Sequence, residues 1–419
     1  MLALRLARRA HPMVQLCRLL VAAASAGTGF LMLSTLGYAM AHPEASAGAT
    51  LRLVWCLGPV AATVYLAVAV ARTDPGTRPR SGLAAIGLGP ARLMALSALT
   101  TALSTTLGSV LALLAFLHLR GDLPGTPFDG QVAGFLAADL PLPLPAALTL
   151  LTVVPFAASA ASAVALRPKD KRQRRAGRRA QAAAASGAGD ACEERTPGEQ
   201  ADGPAGEAPA PGPRPAAGHS PSGLPWGVAA IAAGLAVEAH AGDAGGAPRF
   251  HLPGGLAGGP AGVLTGWTLT ALGLALAGPA LAYLCGRMLD SAQPGVVRLL
   301  AGRGLQQEAR RIGRPLGVVC AVASGAYAMT TPYTDARLAF GPLTTLGAVL
   351  VAGCALATLA TAAVEARQAR VGAIAALVRL GAPATLLRTA ALLRAGALAV
   401  VFVPLTWVVA ELAAMPLRG

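Results

Sequence analysis

The residues of this chain that could do acid–base or metal chemistry are few and scattered. Its six histidines are His11, His42, His118, His219, His240 and His251, and none pairs with a second ligand at metal-binding spacing. The six cysteines, Cys17, Cys56, Cys192, Cys285, Cys320 and Cys354, form no CxxC pair, and five lie in or beside apolar stretches. That pattern argues against a disulfide framework and against a zinc site. No GxxxxGK[ST] loop is present to cradle a nucleotide phosphate, and no HExxH, GxSxG or paired-carboxylate pattern stands out. The expectation is a protein that is not an enzyme and needs no cofactor or metal. Glu238, His240 and Glu411 do lie within apolar stretches, where an ionisable group is costly and invites a proton-relay reading. Each is expected near a membrane interface, within reach of water, and solvation is the plainer reading.

The elements that must carry these residues are hydrophobic. The chain has 419 residues, 54% apolar and only 13% charged, about half the charge of an ordinary soluble domain, and its mean hydropathy is +0.58. The apolar residues fall in blocks about as long as a bilayer is thick, since a spanning helix needs ~20 of them. Nine such blocks are read, at roughly 19–40, 52–71, 93–118, 144–166, 224–241, 262–285, 315–332, 343–364 and 391–413. The fifth is short and ends in Glu238 and His240. The expected class is an all-α integral membrane protein with about nine transmembrane helices (eight to ten) in the lipid bilayer.

The net charge of +15 does not signal nucleic-acid binding. The bases sit in the gaps between apolar blocks, and an aromatic content of 4% leaves little for base stacking. They signal topology instead. With the N-terminus in the cytoplasm, 29 of the 34 Lys and Arg side chains fall inside, leaving Arg52, Arg120, Arg249, Arg337 and Arg418 outside. Positive-inside asymmetry of this kind sets orientation, so a multi-pass protein of the cell membrane with a cytoplasmic N-terminus is expected. Residues 167–222 pass from a basic run, RPKDKRQRRAGRR, through acidic residues to a Pro/Gly/Ala-rich stretch. Too little apolar surface is available there to offset ordering entropy, so a disordered cytoplasmic linker is expected.

The two ends of the chain resemble each other. LARRAHP (Leu6 to Pro12) and EARRIGRP (Glu308 to Pro315) each precede an apolar span, a short external loop, a returning span and a basic loop. The first basic loop, Arg72 to Met94, contains Leu88-Gly89-Pro90, and the second, Glu365 to Leu387, contains Leu380-Gly381-Ala382-Pro383. Both copies have the same expected orientation, so the repeat is parallel, an arrangement many transporters use. The organisation read is a four-helix first repeat (1–166), the linker (167–222), two connecting helices and a cytoplasmic loop (223–302), and a three-helix second repeat (303–419).

The basic loops are too long for plain hairpins. In the second, Val371, Ile374 and Val378 recur at helical spacing beside Arg367, Arg370 and Arg379, which predicts a short amphipathic helix at the cytoplasmic interface, ended by Gly381 and Pro383. In the first, Leu83 and Ile86 start a similar face, cut short by Gly87, Gly89 and Pro90, with Arg92 following.

The order of one span, one returning span, a basic loop with an LG(x)P turn and two further spans resembles the FtsX-like permease family of ABC transporters. The motifs that carry the resemblance are LAAIGLGPARLM (Leu83 to Met94) and ALVRLGAPATLL (Ala376 to Leu387). It implies a permease subunit whose two loops dock on a separate cytoplasmic ABC ATPase, moving a hydrophobic or amphipathic substrate across the membrane or extracting it from there. The coupling residues it implies are Leu83, Ile86, Leu88, Gly89, Pro90 and Arg92 in the first loop. In the second they are Val371, Ile374, Val378, Arg379, Leu380, Gly381 and Pro383. A homodimer and a heterodimer are both compatible with it. The alternatives are a non-transporting regulator driven by an ATPase, and an ion-coupled carrier.

Overall fold

The computed structural model describes residues 12–44, 46–73, 90–122, 136, 139–166, 223–243, 261–291, 295–330, 342–379, 381 and 383–418. All regular structure among them is α-helix: α1 (Pro12–Ala41), α2 (Ser46–Thr73), α3 (Pro90–Arg120), α4 (Leu144–Ala165), α5 (Leu224–Asp243), α6 (Ala261–Ser291), α7 (Val296–Thr330), α8 (Pro342–Arg379) and α9 (Ala384–Arg418). Seven of them, all but α5 and α7, are long and apolar enough to cross a membrane by length and composition. The chain is a multi-pass, all-helical membrane protein. The linker at 167–222 and most of the LARRAHP segment lie outside the described residues.

The distribution of side chains inverts that of a soluble bundle. On α3, Leu96, Leu99, Leu103 and Leu107 form an outward stripe, each more than half exposed, while Ser97, Thr101, Thr105 and Ser109 face inward and are buried. Such a surface is an aggregation liability in water and an ordinary lipid contact in a bilayer. Inside, where lipid supplies no hydrophobic drive between helices, small residues and hydroxyls hold the bundle. Ser25 Oγ on α1 donates to the Thr105 carbonyl on α3 at 2.8 Å, and Ser109 Oγ donates to the Leu151 carbonyl on α4 at 3.0 Å. Thr28 Oγ1 donates to the Ala24 carbonyl at 2.7 Å. That uses its single proton, so Thr63 Oγ1 on α2, 2.8 Å away, is the donor between the two hydroxyls.

Two groups of helices result. In the first, α1 is central: it packs on α2, α3 and α4, while α2 and α3 scarcely meet. In the second, α7 is central: it packs on α8 and α9, while α8 and α9 make almost no contact. Helix α6 lies against α7, and α5 and α6 both reach α9, while neither packs on α8. The groups join through α8, which packs on α2 and also on α1. Helices α2 and α8 run in the same direction, because Cys56 and Val60 cluster with Leu343 and Leu346, while Leu66 and Val70 cluster with Cys354 further along both helices. The end of α8 and the start of α3 therefore lie at one end of the molecule.

The α5–α6–α7 sheaf is drawn together by glycine. Gly227, Gly234, Gly266 and Gly273 face across the α5–α6 seam, and Gly278, Gly286, Gly302, Gly313 and Gly317 across the α6–α7 seam, leaving backbone against backbone. Hydropathy predicts a basic loop between the sixth and seventh spans. The structure replaces nearly all of it with helix: α6 runs to Ser291 and α7 starts at Val296, carrying Arg298, Arg303, Arg310 and Arg311 and passing through Pro315 rather than starting there. Hydropathy alone hides this, because the first half of α7 is too polar to read as a span.

Candidate functional site

The second group extends well beyond a bilayer. Helices α7, α8 and α9 have 35, 38 and 35 residues, or roughly 52–57 Å at ~1.5 Å per residue, against a hydrocarbon core of ~30 Å. The surplus gathers at the end where α8 turns into α9. Here the sequence-predicted coupling residues sit on a continuous helix and not on a separate interfacial one. α8 runs unbroken through Val371, Ile374 and Val378 to Arg379, since nothing in GAIAALVR interrupts it. These three apolar side chains are 61%, 40% and 53% exposed, and Arg379 is exposed beside them. The spacing was legible; the continuity with the span was not.

A tight elbow closes the segment. Gly381 adopts φ +85°, a conformation that only glycine enters freely, and its N–H donates to the Val378 carbonyl at 3.0 Å. The Pro383 carbonyl then accepts from the Leu386 N–H at 3.1 Å as α9 begins. Left-handed glycine at the end of a helix with proline shortly after is a strong stop. Leu380 lies outside the described residues, as do Leu83, Ile86, Leu88 and Gly89 of the first loop. Pro90 opens α3, and Arg92 is exposed in its first turn.

Behind the elbow stands a charged clamp that the sequence pattern does not single out as a site. Arg370 Nε on α8 meets Glu308 Oε1 on α7 at 2.6 Å, and Arg311 Nη1 meets Glu365 Oε1 at 3.8 Å. Arg394 Nη2 on α9 donates to the Leu300 carbonyl on α7 at 2.8 Å. Three helices are thereby tied to one another directly behind the exposed stripe. Burial pushes the Glu308 carboxyl above the usual carboxylate range, while Arg370, Arg394 and Arg311 pull it back down. The clue in the sequence is a lone acidic residue among Arg303, Arg310, Arg311 and Arg314, visible only once α7 is known to be helical there.

At the opposite end, Glu238 on α5 is 1% exposed, and Thr270 Oγ1 on α6 donates to its Oε1 at 3.3 Å. Its position in the sequence predicts a Glu238 within reach of water; the α5–α6 glycine seam instead shuts it in. Glu411 on α9 accepts from Tyr327 Oη on α7 at 2.7 Å. Among the described residues, no group of three or more His, Cys, Asp or Glu side chains is placed to hold a metal ion. Comparison of the chain with family models, with curated proteins and with solved structures finds no match.

Proposed function

We propose that this chain is the permease subunit of an ABC-type transport system of the FtsX-like kind. It carries out no catalysis itself and couples a separate cytoplasmic ATPase to the movement or extraction of a hydrophobic or amphipathic substrate. The observation that carries this reading is the α8–α9 elbow. An apolar stripe flanked by arginines protrudes from the end of a helix that is one piece with a membrane span. A helix docked at that stripe transmits a push along its axis, because bending it would break its backbone hydrogen bonds. The clamp of Glu308, Arg370 and Arg394 passes the push from α8 to α7 and α9.

The parallel repeat is supported by packing. Each group has a central first helix flanked by a second and a third that scarcely touch, and the two second helices run in the same direction against each other. In this reading both elbows face the cytoplasm, with the N-terminus on that side and the LG(x)P turn of the first loop as the partner of the α8–α9 elbow.

On this reading a P-loop ABC ATPase is expected to be encoded next to this chain's gene, and the test uses that protein. Co-expressed with that ATPase and reconstituted in nanodiscs, the wild-type chain is expected to retain it and to stimulate its ATP hydrolysis. Val371→Ser, Ile374→Ser and Val378→Ser together should weaken that binding at least about tenfold, since each docked aliphatic side chain contributes ~1.5–3 kcal/mol and ~1.4 kcal/mol is tenfold. Undiminished binding and stimulation by a well-folded triple variant would remove the elbow from the interface.

A further inference from the structure

A groove about 650 Å³ in volume runs along the lipid-facing side of the second group. Its floor is α7, from Ile312 to Tyr327, one wall is α9, from Ala395 to Ala410, and α8 contributes Leu359 at the other wall. It exists because α8 and α9 stand apart on α7. The first group has the same gap between α2 and α3 on α1, and there it is filled. α4 lies in it, with Leu151 packed among Leu33, Ala112 and Phe116, Val154 beside Leu31 and Val60, and Ala158 against Val21 and Leu66. Among the described residues, no helix takes the corresponding place in the second group. α6 does not, since it packs on α7 and α9 but not on α8, whereas α4 packs on all three helices of its group.

We propose that this groove is the seat of one transmembrane helix from a second polypeptide, standing to α7, α8 and α9 as α4 stands to α1, α2 and α3. The groove fixes the chemistry of that helix. No charged side chain lines it, and α4, which fills the matching seat, carries none from Leu144 to Ala165. The occupant is therefore uncharged over the length of the groove. Its buried face is a narrow stripe of small and aliphatic residues, like Ala147, Leu151, Val154 and Ala158 of α4. The floor from Ile312 to Tyr327 spans roughly 22 Å at ~1.5 Å per residue, so a single span covers it. The inference rests on the paired packing of the two groups and not on the ATPase reading. A chain whose elbow binds no ATPase could still seat the helix, and the reverse also holds.

The probe is a synthetic peptide of residues 144–165 with a photoreactive group in place of Leu151, added to the full chain in nanodiscs containing a photoactivatable phosphatidylcholine. Without peptide, the lipid should label the groove. With peptide, adducts should form on residues 316–327 and 395–410, and lipid labelling there should be lost. Ala395→Trp and Ala399→Trp, each filling the groove, should abolish the peptide adduct while the chain remains monodisperse. In wild type, two results would overturn the seat: lipid labelling unchanged at saturating peptide, which makes the groove a lipid site, or adducts confined to α1–α3, which means the peptide merely exchanges with α4. A third would come from Val403→Cys. Oxidative cross-linking of that variant into a covalent dimer of the chain, absent in wild type, would place a second copy there instead.

Discussion

Replacing Gly313 by valine is expected to destabilise the protein by ~3 kcal/mol or more, at the top of the range for overpacking a close interface. A Cβ at Gly313 would lie 2.5 Å from Pro279 Cα, 2.6 Å from Pro279 N and 2.7 Å from the Gly278 carbonyl carbon. All three are backbone atoms of α6, so no side chain can swing aside, and the two helices must separate along their seam. Gly325 on the same helix is the control. A Cβ there meets nothing within 4 Å, so Gly325→Ala should be neutral or stabilising by up to ~1 kcal/mol through helix propensity alone. Thermal unfolding of the two variants in micelles separates the outcomes. Equal midpoints would mean that α6 and α7 are not in close contact at Gly313.

Glu308→Ala is the second large effect, with an expected loss of ~2–3 kcal/mol. Breaking a buried ion pair typically costs ~3–5 kcal/mol because the remaining charge is stranded. The figure is reduced here because the Arg370 side chain keeps 29% of its exposure. Glu308→Gln should be far milder, since an amide oxygen still accepts from Arg370 and no anion is buried. The pH dependence separates charge from hydrogen bonding. The folded-state pKa of Glu308 is raised, chiefly by burial, so its titration favours the folded protein at low pH and that contribution is lost as pH rises through the raised value. Glu308→Gln should flatten this part of the stability profile, and unfolding midpoints measured from about pH 4 upward would show it. A glutamine variant as unstable as the alanine one would mean that the charge itself is essential.

The helices were legible because hydropathy reports what lipid demands: each expected span coincides with a helix or part of one. The stripe of Val371, Ile374 and Val378 was legible from its helical spacing, and the stop at Gly381 and Pro383 from the backbone conformations those two residues favour. Three features were not. The helical first half of α7 mixes Arg298, Arg303, Arg310 and Arg311 with apolar residues, so it scores as a loop until α6 and α8 are there to pack on it. The Glu308–Arg370 contact joins residues 62 apart in the chain, a distance that neither spacing nor composition bridges. Glu238 reads as interfacial from its position along α5, and only Gly266 opposite it shows how closely α6 comes.

The central claim, two like-oriented groups of helices whose elbows share one face of the membrane, is tested most directly by sidedness. In a background with all six native cysteines replaced by serine, single cysteines at Val371, Arg92 and His42 would be treated with a membrane-impermeant maleimide on intact cells and on inverted vesicles. Val371→Cys and Arg92→Cys should both react only in inverted vesicles, and His42→Cys only in intact cells. Labelling of Val371→Cys and Arg92→Cys from opposite faces would contradict the account.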